Sequence, residues 1–230
     1  MSINEIITIR DFSFNYGENI VIKNLSLSVE RASVHGILGD NGAGKTTLFN
    51  SIFDNSKFAD KIILDENARK SIAYLEAETF FYSYMTGKEY LEIISKSNLN
   101  ELNKWNDLFE LPLDEYVTSY STGMKKKLSI LGIFLLQKDI LILDEPFNGL
   151  DFKSVEIINY AIQKLKNIGK TILLSSHVLE TLTKISDRIS ILEDGVILKT
   201  FERNKFNQLE ELVSKKFREN IKSIVDTLIK

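Results

Sequence analysis

Nine consecutive residues, Gly39-Asp40-Asn41-Gly42-Ala43-Gly44-Lys45-Thr46-Thr47, have types and a spacing that suit one task. The pattern is Gly-x-x-x-x-Gly-Lys-Thr, and it follows an apolar run from Val34 to Leu38 that reads as a short buried strand. Leu48, Phe49, Ile52 and Phe53 come next, at spacings of three and four that read as a helix. A triphosphate is a dense cluster of negative charge. Backbone N–H groups can surround it only where the chain turns tightly and no Cβ blocks the approach. Gly39, Gly42 and Gly44 supply that freedom, with Asp40, Asn41, Ala43 and Thr47 completing the loop. A helix opening near Lys45 points its positive end at the anion. The Lys45 ammonium can reach outer phosphates, and the Thr46 hydroxyl can ligate Mg²⁺. The loop alone implies a bound nucleotide and does not choose between ATP and GTP.

A second constellation lies about a hundred residues later, in Ile140-Leu141-Ile142-Leu143-Asp144-Glu145-Pro146. Here an apolar strand ends in adjacent carboxylates, and buried charges need a partner or a metal. Beside a phosphate loop the first acid, Asp144, suits Mg²⁺ coordination. The second, Glu145, can act as general base on the water that attacks a terminal phosphate.

The elements that position these groups follow from hydrophobic periodicity. Ile7, Ile9, Phe12 and Phe14, then Val21 to Val29, alternate as two strands around the turn at Tyr16-Gly17-Glu18-Asn19, which predicts a β-hairpin. Lys61–Leu64 and Ser71–Leu75 read as two further strands. From Phe80 to Leu113 the pattern becomes helical, and Met124 to Leu136 predicts a helix with Leu128, Leu131 and Leu135 as its apolar face. Strands at Ile140–Leu143, Thr171–Leu174, Arg188–Leu192 and Val196–Phe201 then alternate with helices at Phe152–Ile168 and Val178–Ile185. From Asn204 a charged helical tail carries an apolar stripe through Leu209, Leu212, Val213, Phe217, Ile221, Ile224, Val225 and Leu228. The fold class is α/β, with a mostly parallel sheet, an antiparallel β-layer at the start and an α-helical region over residues 80–137.

Composition sets limits on partners. The 230 residues carry 29 basic and 32 acidic side chains, a net charge of −3, so no electrostatic footprint for nucleic acid or anionic lipid shows at this level. There are no cysteines, hence no disulfides and no thiolate metal site. No signal peptide is expected, and no apolar stretch approaches the ~20 residues needed to span a bilayer. The longest candidate, Leu128 to Leu136, is short.

With these residues in view, nearly the whole chain resembles the nucleotide-binding domain of ABC transporters. Tyr120-Ser121-Thr122-Gly123-Met124-Lys125-Lys126-Lys127-Leu128 looks like the signature of that family, and Glu145-Pro146-Phe147-Asn148-Gly149-Leu150-Asp151 is similar to its drug- and antibiotic-export branch. The resemblance implies a P-loop NTPase fold over residues 1–230, with a core at 1–79 and 138–203, a helical subdomain at 80–137 and a tail at 204–230. It implies ATP and Mg²⁺ as ligands. Tyr16 matches the aromatic residue that stacks on adenine, His177 the switch histidine, and Asn148 to Asp151 the D-loop. Ser121 and Gly123 open a helix, and the resemblance implies that they face the γ-phosphate on a second copy of the domain. Transmembrane permease subunits and a second nucleotide-binding domain are the implied partners, nucleic acid is not, and the implied place is the cytoplasmic face of the cell membrane. One departure stands out: the Gln expected after Ser71–Leu75 is Ala77, flanked by Glu76 and Glu78. If Ala77 points toward the metal, alternation along an extended segment turns both glutamates away. A metal site anchored by Thr46 and Asp144 and completed by water is then expected, with Glu76 or Glu78 as the alternative ligand where the segment twists. The aromatic stretch Phe80-Phe81-Tyr82-Ser83-Tyr84-Met85 suits either a docking surface for a membrane subunit or local core packing. The alternative function is a soluble ABC-type ATPase acting on DNA or the ribosome. The long coiled-coil insertions or paired domains common in such proteins are missing here. A module that holds nucleotide without turnover is a third reading, against which Glu145 counts.

Overall fold

The computed structural model of the chain describes residues 4–65, 68–95 and 99–228, with backbone alone for 99–101, 217 and 219–228. The elements are β1 (Glu5–Tyr16), β2 (Asn19–Glu30), β3 (Val34–Leu38), α1 (Lys45–Phe53), β4 (Ile62–Leu64), β5 (Ile72–Leu75), α2 (Gly87–Ile94), α3 (Leu99–Phe109) and α4 (Thr122–Leu135). They continue with β6 (Ile140–Leu143), α5 (Phe152–Asn167), β7 (Thr171–Ser176), α6 (Leu179–Ile185), β8 (Arg188–Glu193), β9 (Val196–Glu202) and α7 (Phe206–Leu228).

Two sheets form. The hairpin β1–β2 takes β4 on its other edge, giving an antiparallel layer in the order β2-β1-β4. The larger sheet runs β5-β6-β7-β3-β8-β9. Its first five strands are parallel, and β9 returns antiparallel to β8. The strand at 62–64 thus belongs with the N-terminal hairpin, a long-range pairing that its three residues do not encode.

The parallel strands are apolar on both faces, as burial between two layers requires. Leu141, Leu143, Ile172 and Leu174 join one core with α4, α5 and α6. Ile140, Ile142, Leu173 and Ile37 face the other way, into a second core with Leu48, Phe49 and Ile52 of α1 and the antiparallel layer. His35 lies within β3 and is fully buried; its Nε2 is 2.8 Å from Ser190 Oγ. Burial first, and the Arg188 charge second, push its pKa down to about 3. It is a neutral core residue.

Helix α4 departs from the one-sided face predicted for it. Every residue from Leu128 to Leu135 is buried, because α2, α3 and β5 enclose the helix. Gly132 allows that approach: a Cβ there would stand 3.0 Å from Ile94 Cδ1. In α7, Leu209 is buried and Val213 packs on the core, but Leu212 is 45% exposed. The rest of the expected stripe, Phe217, Ile221, Ile224, Val225 and Leu228, lies outside the residues whose side chains are described. The segment 80–85 divides: Phe81 packs on Tyr90 at 4.9 Å between ring centres, whereas Phe80, Tyr82 and Tyr84 are exposed.

The turn between β8 and β9 ties the layers together. Gly195 donates its N–H to Ala43 O (3.1 Å) and accepts from Lys23 N (2.9 Å), so it touches both the glycine-rich loop and β2. Its φ is +80°, and a Cβ would fall 2.1 Å from Val21 O. Gly195→Ala should therefore cost about 1–3 kcal/mol of stability through strain and a backbone clash. Urea unfolding would register this as a lower midpoint; an unchanged midpoint would mean that Val21 moves aside freely.

Candidate functional site

The loop from Gly39 to Gly44 leaves the end of β3, and α1 begins at Lys45. Gly42 and Gly44 adopt φ of +85° and +106°, left-handed values that glycine takes without strain. Gly44 caps α1 with no side-chain bond to the first-turn N–H groups. Those donors point outward at the positive end of the helix, where an anion is stabilised.

Lys45 is 6% exposed, and its Nζ is held from three sides. It donates to Gly39 O at 2.6 Å and Asp40 O at 3.1 Å, and it pairs with Glu145 Oε1 at 3.1 Å. Thr46 Oγ1 donates to Asp144 Oδ2 at 2.6 Å. The phosphate loop and the strand-tip acids, about a hundred residues apart in sequence, thus meet directly.

Asp144 and Glu145 leave the end of β6, whose four residues are all buried. Asp144 is fully buried, and its Oδ1 accepts from Ser175 Oγ at 2.5 Å. The same hydroxyl accepts from Glu145 N at 2.9 Å. Ser175 comes from the neighbouring strand β7, so one side chain orients both acids. Glu145 holds φ at +46°, an unusual backbone for a residue with a Cβ. That conformation turns its carboxylate between Lys45 and His177, whose Nδ1 lies 3.1 Å from Glu145 Oε2.

These groups surround a cavity of about 350 Å³ lined by Asp40, Asn41, Gly42, Gly44, Lys45, Thr46, Thr47, Asp144 and Glu145, with Val21, Ala77 and Asn148 at its rim. Most residues read from the sequence as a nucleotide site therefore line one space. Gly39 and Ala43 lie behind the loop: Gly39 backs onto Leu192 O and Ala43 is buried. Tyr16 is 58% exposed at the end of β1 and meets Phe14 edge-on at 4.9 Å. Ser121 and Gly123 do not line the cavity. Ser121 is exposed and caps α4, its Oγ accepting from Met124 N at 3.2 Å. Gly123 abuts Gly149, whose O would be 2.8 Å from a Cβ. Ala77 lines the cavity and Glu76 and Glu78 do not, but the chain bends at 77 and 78 instead of staying extended, and all three residues are exposed, so the alternation expected there does not hold.

The donor set suits Mg²⁺. A hydroxyl and a carboxylate within 2.6 Å offer hard oxygen ligands, which that ion takes together with substrate phosphates and water. Among the described residues no group of three or more His, Cys, Asp or Glu gathers as a metal cage. Sequence reasoning missed two residues here. Ser175 carries no motif of its own, and Lys126, on α4, is 8% exposed with Nζ 2.9 Å from Ala77 O. Burial lowers the Lys126 pKa, and the carboxylates of Asp144 and Glu145 oppose that shift.

A glycine-rich anion loop facing a strand-tip acid pair, at the C-terminal ends of parallel strands, defines a phosphate-loop nucleotide-binding domain. The chain belongs to the ABC transporter family, whose profile, described as "ABC transporter", matches residues 22–148. It is 31% identical over 211 residues to the bacitracin transport ATP-binding protein BcrA of Enterococcus faecalis, covering 85% of this chain and 68% of that one. It is also 31% identical over 217 residues to the Fe(3+) ions import ATP-binding protein FbpC of Fusobacterium nucleatum, covering 86% of this chain and 57% of that one. A solved ATP-binding subunit of an ABC transporter superposes with a TM-score of 0.79 at 27% identity, over 91% of this chain and 98% of that one. The chain is thus an ATP-binding subunit of the ABC transporter type and an ATPase, and these likenesses do not favour the soluble alternative. Among the described residues no helix is long and apolar enough to cross a membrane.

Lys45→Ala removes a charge-assisted contact worth roughly 1.5–3 kcal/mol, so ATP should bind at least about tenfold more weakly. Calorimetry measures this directly, and unchanged affinity in the folded variant would take Lys45 out of phosphate binding.

Proposed function

We propose that the chain works as one of a pair of ATPase subunits at the cytoplasmic face of a membrane, driving export through separate permease subunits. The observation that carries the pairing is the position of Ser121. It stands exposed at the N-terminus of α4 and away from the cavity of its own chain, free to meet a nucleotide held by a second copy. Export is the direction favoured by the signature Tyr120 to Lys125 and by the run Glu145 to Asp151. Residues 1–79 and 138–203 form the core in this reading, 80–137 the helical subdomain and 204–230 the tail. Nucleic acid has no role in it.

Each side chain then has a task. The N–H groups of the Gly39–Thr47 loop and the Lys45 ammonium hold the phosphates, and Tyr16 stacks on adenine. Thr46 and Asp144 would hold Mg²⁺, whose charge neutralises phosphate oxygens when bound. Glu145 accepts the proton of the attacking water, and His177 fixes its carboxylate by the contact at 3.1 Å. Ser175 keeps Asp144 and Glu145 in register. At position 77, which has no side-chain oxygen, water completes the metal shell. Phe80, Tyr82 and Tyr84, exposed beside α2, offer aromatic area to a membrane subunit, with Tyr116 extending it at 6.2 Å from Tyr84.

Glu145→Gln keeps the shape and removes the basicity. ATP should still bind, while turnover falls by at least about a hundredfold. Light scattering should then find a dimer with ATP and a monomer without it. One mass in both conditions would count against the pairing, and wild-type turnover would remove Glu145 from its role.

Tyr84→Ala tests the docking surface. Its ring is 82% exposed, so its loss should leave the fold and the isolated ATPase activity intact and weaken co-purification with the permease. A collapsed melting temperature would instead assign the ring to the core.

A further inference from the structure

We propose that Lys126 is a positioning residue for ATP hydrolysis, linking the helix that presents Ser121 and Gly123 to the phosphate site through the main chain of Ala77. The inference rests on the ATPase reading above and extends it to a residue outside the motifs.

A buried lysine needs a reason, because its ammonium loses water and must find other acceptors. Lys126 projects from α4 into the gap between the ends of β5 and β6. Nζ donates to Ala77 O at 2.9 Å, and Asp144 O lies at 3.5 Å. These acceptors lie just past the ends of the adjacent parallel strands β5 and β6, which Asp144 N also joins by donating to Leu75 O at 2.9 Å. Ala77 and Asp144 both line the phosphate cavity, whereas Lys126 does not. Its ammonium therefore acts on the backbone that shapes the cavity and not on the ligand. Lys45, Lys126, Asp144 and Glu145 are all buried.

The side chain at 77 cannot reach out, because it ends at Cβ. What position 77 offers is a carbonyl, and α4 supplies the donor. Lys126 lies five residues beyond the cap Ser121, less than two helical turns along a helix enclosed by α2, α3 and β5. A shift of α4 against the sheet thus pulls on Ala77, and a nucleotide that resets Ala77 and Asp144 pulls on α4.

The test compares Lys126→Met, which keeps length and loses the ammonium, with Lys126→Gln, which keeps a donor. Replacing a buried ion by Met is often tolerated by the fold, and Lys126→Gln carries the test if Lys126→Met does not fold. The expected result in Lys126→Met is a kcat lower by about tenfold or more, and in the shorter, uncharged Lys126→Gln a kcat between that and wild type, with KM and ATP affinity within about threefold of wild type in both. Hydrogen exchange with Mg·ADP, which hydrolysis does not consume, should show slowed exchange at residues 121–127 in the wild type and not in Lys126→Met. Wild-type kcat and exchange in the folded Lys126 variants would overturn the proposal. So would equal losses of melting temperature, ATP affinity and kcat in both, which mark a charge partner of the fold alone. Failure of the wild-type chain to hydrolyse ATP would instead overturn the ATPase reading.

Discussion

Two carboxylates follow β6, a strand buried at every residue, and their charge is the constraint around which the site is arranged. Asp144 has no exposed surface, and Glu145 has 8%. A lone carboxylate in such a place would cost several kcal/mol or take up a proton. Thr46 and Ser175 donate to the two oxygens of Asp144, while Lys45 and His177 face those of Glu145. Buried ion pairs are weak grounds for stability, since apolar replacements of like volume often serve as well. The left-handed backbone of Glu145 adds a local cost of about 1–3 kcal/mol. A fold that bears both costs at one point is spending stability on chemistry there.

The sheet order brings these partners together. β7 lies between β3 and β6, so the strand leading to the phosphate loop and the strand leading to the acids share one neighbour. That neighbour contributes Ser175 near its end and His177 just beyond it. Parallel strands present all three ends on the same edge, which is where ligands bind in open α/β sheets. The antiparallel layer supports the loop from behind. Val21 of β2 stands 3.6 Å or less from where a Cβ on Gly44 would lie, and the Gly195 turn holds Val21 in place. Gly44 thus serves both an unusual φ and a close approach, which is why a short loop can aim its N–H groups into a cavity.

What could be read from the sequence was local, and what could not was long-range. Lys45 and Thr46 were legible because phosphate chemistry fixes their types at a set spacing from Gly39 and Gly44. Asp144 and Glu145 were legible because an apolar strand rarely ends in paired acids. The strands were placed to within one or two residues by their apolar runs. Ser175 and Lys126 left no comparable trace. A serine in Leu174-Ser175-Ser176 and a lysine in a run of three look like ordinary surface choices until tertiary contacts bury them. The enclosure of α4 was hidden for a related reason: periodicity reports one apolar face, whereas Ser129 and Gly132 lie buried on other sides. The aromatic segment at 80–85 split between core and surface because a loop follows no period that composition could reveal.

The departure at Ala77 and the position of Ser121 are connected through the same helix. Gly123, in the first turn of α4, leaves no room for a Cβ against Gly149 O, and Gly149 in turn sits 3.6 Å from Thr122 Cγ2 measured from its own ideal Cβ. The start of α4 and the loop that follows Glu145 are therefore in contact. Farther along, Lys126 holds Ala77 and lies near Asp144. The helix thus touches the phosphate site at two places, once through glycine contact beyond Glu145 and once through a buried ammonium beside Asp144. Close-packed elements shift as units instead of deforming continuously. The exposed end of α4 at Ser121 thus belongs to a helix whose other contacts reach the main chain beside Asp144 and the loop after Glu145.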